Sequence, residues 1–592
     1  MKYSIVLSNK PKEKEVFAAN ELEYYLKEIT KESVTRDSVD ADCVFSLGDT
    51  FVLQNYLERK RLQKSAYKNE DSSEVFVDNN VYMLVGASEY AIMFGVYELL
   101  KVLFGLRIYT NKDYSVEHNE PYCEKEGHFS FSPDIPLRAV GMYPVWAQDE
   151  IYMRRMKLYQ AEEKWGLWGH TYFVILPPDK YAKEHPDWYT PDKYSLCLSN
   201  MEMRDQFTEN LKKIILATPN DIYYMLGQQD NKIVCECENC KKAMEKYNNF
   251  RSALMIEFSN DIVGRINKWK EKVCPKRKLE FCMFAYAYTS NAPVEKTYNG
   301  YKLVDESLKT LSNLSVLICP NGATSSYSYF DSRNRSCFAP VWNCDPNDRL
   351  TFPTAEFIYE WKEVTNKFNF WGYSADYVDF LAPFLMWYGY DRNFIEYKKL
   401  NVQYLFEESA YPYPITNFSE LRTFIASELA WDSSQNMEEL IHLFIKNYYG
   451  EGYKNVQKYF DFLNSHRDTI LKESGREAFY GRYLDYEDLN SGRFWSKQFL
   501  EDALAIIYQA IEPFKSCFYE NMTEKQWRIL GESISCEYLY LHNYISDLDK
   551  CTAREKINRV KAVAKHFGMN QLGEFAPLTL EEHIQQWEQT LK

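Results

Sequence analysis

The sequence predicts an α/β protein: a (β/α)₈ barrel, with a small α+β domain before it and a helical domain after it. Three observations carry this expectation. At 592 residues the chain is too long for one ordinary core. Short apolar runs alternate with helical stretches over its middle 300 or so residues, the pattern of repeated βα units. Beyond Trp431-Asp432 only helical periodicity remains. The expected domains are therefore 1–125, 126–435 and 436–592.

In the first domain KYSIVLS alternates as a strand does, and FAANELEYYLKEITKES carries apolar residues at helical spacing. DCVFSLG, SEVFVDN and NVYMLVGAS read as short strands, the last two joined through the turn Asp78-Asn79-Asn80. EYAIMFGVYELLKVLFG is a second strong helix. A mixed sheet with helices on one face is expected.

Eight candidate barrel strands follow: LRAVGMY (137–143), GHTYFVIL (169–176), YSLCLSN (194–200), IYYMLGQQDN (222–231), LEFCMFAYAYT (279–289), LSVLICPNG (314–322), FNFWGYSADY (368–377) and VQYLFEES (402–409). EIYMRRMKLYQAEEKW, SALMIEFSNDIVGRINKWKEKV and PTAEFIYEWKEVTNK are helical partners. Polar residues at the C-terminal ends of barrel strands build the active site in such folds. That rule gathers Asp230, Tyr286, Tyr373, Asp376, Glu407 and Glu408 at one mouth. In the last domain MEELIHLFIKNYYG, YKNVQKYFDFLNSHRDTILKE, KQFLEDALAIIYQAI and TEKQWRILGESISCEYLYLHNYI are helices.

Composition narrows the function. A net charge of −15 argues against nucleic acid or an anionic membrane as partner. Aromatic residues are 16% of the chain, with 48 Tyr, 36 Phe and 13 Trp. Flat rings with polar edges suit the apolar faces and hydroxyl rims of sugars, and they also suit a ring-rich core. The 14 cysteines show no framework spacing, as expected of reduced thiols. The N-terminus lacks a signal-peptide core and no stretch approaches 18 apolar residues, so a cytoplasmic chain is the simplest expectation. A secreted chain trimmed of its signal reads the same. No phosphate loop, serine elbow or zinc-protease motif is present.

The stretch GQQDNKIVCECENC (227–240) holds the densest chemistry. Cys235, Cys237 and Cys240 offer three thiolates, and Cys197 is a fourth candidate from a neighbouring strand. Structural zinc, a loop disulfide and free thiols all remain open for them; a catalytic metal or other cofactor is not required. Gln228, Gln229, Asp230 and Asn231 place donors and acceptors at a strand end, to grip hydroxyls or an acetamide, or to cap a helix. Glu407 and Glu408 end another strand, and only one of them can face the barrel axis. Glycoside hydrolysis needs a proton donor and either a second carboxylate or an internal nucleophile. Glu407 as acid with Asp230 across the mouth meets that need. His170, with Trp165 and Trp168, and the group Trp371, Tyr373, Asp376 add sugar-contacting candidates.

The chain resembles the bacterial family labelled domain of unknown function 4838, part of which is classed as glycoside hydrolase family 163, endo-β-N-acetylglucosaminidases on complex N-glycans. The resemblance runs from the first strand to about residue 450. It rests on FAANELEYYLKEIT, GASEYAIMFGVYELLKVLFGLRIYT, GHTYFVILPPDKYAKEHPDWY, LCLSN, GQQDNKIVCECENCKKA, FAYAYTSNAP and LRTFIASELAWD. The first two are similar to the small domain that precedes the barrel in α-glucuronidases and family 20 hexosaminidases. The resemblance implies a catalytic barrel, a glycan substrate and retaining hydrolysis assisted by the substrate's 2-acetamido group. It gives Asp230 the role of orienting the acetamide. Gln229, Asn231, His170, Tyr286, Trp371 and Tyr373 are then the sugar pocket.

Two positions depart from the family. Related chains carry an acid soon after the cysteine that ends the sixth strand, where this one has Cys319-Pro320-Asn321-Gly322. They also carry Trp-Asp-Tyr where this one has Trp371-Gly372-Tyr373. Glu407, Glu408 and Asp376 are the available replacements. A silent glycan-binding protein and a uronide hydrolase using Arg333 or Arg335 are the competing expectations.

Overall fold

A computed structural model describes every residue except 122–124, 142–148, 337–351, 410–416, 475–490, 516–518 and 575. The chain divides into two compact units. One comprises 1–159, 412–459 and 506–532; the other comprises 160–411, 460–505 and 533–592.

In the first unit a six-stranded mixed sheet is ordered Val34–Arg36, Tyr3–Leu7, Cys43–Leu47, Val81–Gly86, Ser73–Asp78, Glu126–Phe131. The Ser73–Asp78 and Val81–Gly86 strands form the expected hairpin, and Asn79 and Asn80 both adopt positive φ in its turn. Helices Glu13–Thr30 and Glu89–Phe104 cover one face of the sheet. Ser88 caps the second, accepting from the Ala91 amide, and Gly105 ends it at φ +64°. The expectation of helices on one face only is corrected. A third helix, Phe51–Lys60, seats Leu53 on Phe76, Met83 and Val85. Those side chains alternate with Leu84, which lies near Gly95 of the Glu89–Phe104 helix, so the third helix covers the opposite face. Leu137–Gly141 forms the strand expected there as the first of the barrel candidates, and it falls within the 1–159 segment of this unit; Met142 and Tyr143 lie outside the described residues. The helix expected over 150–165 stops at Arg155.

The second unit carries six parallel strands side by side: Trp165–Leu167, Tyr223–Leu226, Glu280–Ala285, Leu314–Ile318, Phe368–Tyr373 and Val402–Glu408. They form a curled half-barrel sheet. Helices Met201–Ala217, Arg251–Val273, Thr354–Glu360 and Tyr390–Lys399 run between them. One strand face is closed low down by a polar knot, where the Asn369 amide donates to Ser315 Oγ (2.8 Å) and to Cys282 Sγ (3.2 Å).

Two expected strands are corrected. GHTYFVIL is not a strand, and the pairing segment is Trp165–Leu167 just before it. Gly169 turns the chain at φ +76°, and the amides of Thr171 and Tyr172 both donate to Gly227 O, which starts the short helix Tyr172–Ile175. YSLCLSN is a local turn, pairing Leu196 antiparallel with Tyr189 beside the 3-10 turn Pro186–Trp188. Among the described residues of 436–592 the regular elements are all helices, from Met437–Tyr449 to Leu580–Thr590. None of the described helices is long and apolar enough to cross a membrane.

Candidate active site

Parallel pairing brings the C-terminal ends of these strands together, and the candidate residues sit there. Gly227 lets the Tyr223–Leu226 strand end approach the Gly169 turn. A Cβ on it would collide with Gly169 O. Thr171 fastens the contact, its hydroxyl donating to Met225 O at 2.6 Å.

The four polar residues after Gly227 divide their work. Gln228 is fully buried and donates to Tyr286 O (3.0 Å) and Thr289 Oγ1 (2.9 Å), positioning the next strand's end. Gln229 accepts from the Phe173 amide at 3.3 Å. Asn231 accepts from the Ile233 amide and donates to Tyr194 O, at 2.8 and 2.9 Å, so it shapes the loop. Neither Asp230 nor Asn231 is a helix cap. Asp230 alone of the four is exposed, its side chain 57% accessible. Its Oδ1 accepts from the Tyr286 hydroxyl at 2.9 Å and lies 4.0 Å from His170 Nε2. The other ring nitrogen of His170 meets Gln228 O, which orients the imidazole.

From His170 an aromatic run crosses the strand ends. His170 and Tyr286 both pack on Phe284, with centroids 5.2 and 5.9 Å away. Phe284 leads to Trp371 at 6.2 Å, and Trp371 stacks on Trp168 at 5.2 Å with the rings 2° from parallel. Trp165, Tyr404 and Phe406 close round this pair. At the end of the run the Trp371 indole N–H donates to Glu408 Oε2 at 2.7 Å.

Period-two alternation sorts the two glutamates. Tyr404 and Phe406 meet the tryptophans, so Glu408 shares their face. Glu407 points to the other face, with Phe370 and the helix Tyr390–Lys399, whose Tyr397 ring lies 4.4 Å from Phe370. It is 2% exposed. Burial pushes its carboxyl up to about 7, partly offset by the hydroxyls of Ser374 (2.5 Å) and Tyr390. The placement of Glu407 at the mouth is thereby corrected; the carboxylate there is Glu408. Gly372 makes room for Glu407, since a Cβ on it would lie 2.5 Å from the carboxyl carbon and both oxygens.

Tyr373 pairs in register with Glu408 and faces the aromatic side, 7% exposed. Asp376 sits in the buried loop beyond it, 1% exposed. Its Oδ1 accepts from the amides of Val378 (2.9 Å) and Asp379 (3.3 Å), and burial raises its carboxyl well above the usual range. It acts as a turn-forming carboxyl, away from any exposed surface.

Sequence reasoning missed Asn321. It lies just beyond Leu314–Ile318 and is 1% exposed, and among the described residues neither atom of its side-chain amide meets a partner. A strand followed by Pro-Asn-Gly was the available signal. Cys197, Cys235, Cys237 and Cys240, at the foot of the Asp230 loop, are brought together with all sulfurs within 4.8 Å of one another. They are the described residues able to hold a metal.

A family model described as a domain of unknown function (DUF4838) matches residues 109–305 and 337–461. Asn321 falls between the two matched segments. No curated protein sequence matches the chain. Among solved structures, the family GH115 4-O-methyl-α-glucuronidase BtGH115A, specific for decorated arabinogalactans, superposes with a TM-score of 0.58 at 10% identity. The match covers 95% of this chain and 76% of that one, and it supports the fold. CpGH84D matches at TM-score 0.44 and 12% identity, over 100% and 95% of the two chains. A GH138 enzyme targeting pectin rhamnogalacturonan II matches at 0.42 and 10%, over 100% and 98%.

Proposed function

We propose, for a chain that belongs to the DUF4838 family over more than half its length, that this protein is a glycoside hydrolase. Its substrate is a β-linked N-acetylhexosamine glycan, as in the family 163 branch that the sequence resembles. One observation carries the reading: two carboxylates, Asp230 and Glu408, stand at the C-terminal ends of parallel strands. Tyr286 holds one and Trp371 the other, with a run of rings between them. Rings supply the apolar platform a pyranose face needs, and the carboxylates supply the proton chemistry. The glycosidase fold of BtGH115A is consistent with this.

In this reading Glu408 gives its proton to the glycosidic oxygen as the bond from C1 to that oxygen breaks. The acetamide oxygen of the same sugar bonds to C1, while Asp230 accepts the acetamide N–H and stabilises the positive charge that develops there. Water then attacks C1, gives its proton to Glu408 and releases the acetamide, with net retention. His170 and Tyr286 hold Asp230 in place.

Glu408→Gln and Asp230→Ala are each expected to lower kcat on an aryl β-N-acetylhexosaminide by roughly 10²–10⁴-fold. Full turnover in both variants would refute the reading. Saturable sugar binding with no cleavage by the unmodified protein would make it a glycan-binding protein instead. A uronide substrate calls for a cation on the sugar carboxylate. Arg333 commits its guanidinium to Asp331 through two 2.9 Å bonds and lies over Tyr327 and Tyr388, which disfavours that use.

A further inference from the structure

The cysteines of 197–240 come from three local structures. Cys197 ends the small turn, its amide donating to Trp188 O at 2.8 Å. Cys235 lies in the loop that leaves Asp230. Cys237 caps the helix Glu238–Glu245, its sulfur accepting from the amide of Cys240 at 3.4 Å. Cys197, Cys235 and Cys240 are buried, and only Cys237 reaches the surface.

Cys197 Sγ lies 3.6 Å from Cys237 Sγ and 3.7 Å from Cys240 Sγ. A zinc–thiolate bond of about 2.3 Å in a tetrahedron sets sulfur–sulfur edges of about 3.8 Å. A disulfide would instead draw one pair to about 2.05 Å and leave the others apart. One sulfur almost equidistant from two others suits a central atom better than a bond to either. Four sulfur donors in a tetrahedral set select zinc among common metals, and iron is the main competitor. The Ser199 hydroxyl, 3.0 Å from Cys240 Sγ, and the Cys240 amide add hydrogen bonds of the kind that support thiolates.

We propose that Cys197, Cys235, Cys237 and Cys240 bind one structural zinc ion, which staples the loop carrying Asp230 to the turn at 188–200. Four thiolates fill the coordination sphere, so the ion holds shape and performs no chemistry on substrate. The bond from Asn231 to Tyr194 O joins the same two segments, so the staple and this bond together set the Asp230 loop. The inference stands apart from the glycosidase reading, because it concerns the loop whatever the loop contacts.

The test is elemental analysis of the full-length protein purified without chelators, with intact mass and thiol titration on the same sample. The expected result is about one zinc per chain, released as a mercurial titrates four thiols. The double variant Cys197→Ser/Cys240→Ser is expected to hold less than a tenth of that zinc. If it does not fold, mercurial release from the unmodified protein decides alone. Absence of metal with four free thiols, an intact mass showing disulfides among these cysteines, or iron in place of zinc would each overturn the proposal.

Discussion

Glu407 and Glu408 stand next to each other in one strand, and their environments assign them different work. Glu407 keeps its proton up to about pH 7, against 4.5 for an ordinary glutamate. Between those values the folded chain holds a proton that the unfolded chain has released. Stability therefore falls as pH rises through that window, by on the order of 3 kcal/mol in full. Glu407→Gln is expected to remove this dependence, so its stability relative to the unmodified protein improves from pH 5 to pH 8 in urea unfolding. Gly372→Ala is expected to cost about 1–3 kcal/mol in the same assay, because its methyl group meets the Glu407 carboxyl. The sequence showed that only one of the two glutamates can face the barrel axis. It could not show which, because that depends on the register of Val402–Glu408 against Phe368–Tyr373. For Asn321 the sequence offered only a strand running into Pro-Asn-Gly; its burial is a property of the folded surroundings.

Among elements, the strands that end in long apolar runs were legible, and those whose apolar residues serve a turn were not. Tyr223–Leu226, Glu280–Ala285, Leu314–Ile318, Phe368–Tyr373 and Val402–Glu408 lie where periodicity puts them. GHTYFVIL and YSLCLSN look equally strand-like, but their amides are taken by Gly227 O and by local pairing. The helix Phe51–Lys60 has a single fully buried residue, Leu53, too little to mark a periodic face. The meeting of two strand-end loops at Gly227 gives a test at this scale. Gly227→Ala places its methyl against Gly169 O and Phe284. It is expected to lower stability by several kcal/mol and to weaken sugar binding through the displaced His170 and Asp230. Thermal unfolding and a KM measurement check the two effects separately.

In the whole molecule the chain leaves and re-enters each unit. Periodicity is local and carries no information about which helices of the last third join which unit. Each unit has buried charge of its own. In the first, Arg138 and Asp71 pair at 3.0 Å with side chains 1% and 2% exposed, and the Tyr159 hydroxyl donates to the same carboxylate at 2.6 Å. Arg138→Met is expected to cost about 3–5 kcal/mol by stranding that carboxylate, and adding Asp71→Leu is expected to recover much of the loss. The central claim rests on the second unit and on Glu408. The most direct measurement is turnover of aryl β-N-acetylhexosaminides and released N-glycans, read by mass spectrometry, for the unmodified protein, Glu408→Gln and Glu407→Gln. Cleavage that survives Glu407→Gln and is lost in Glu408→Gln is the predicted result; cleavage lost in Glu407→Gln but retained in Glu408→Gln, or none at all in the unmodified protein, would contradict it.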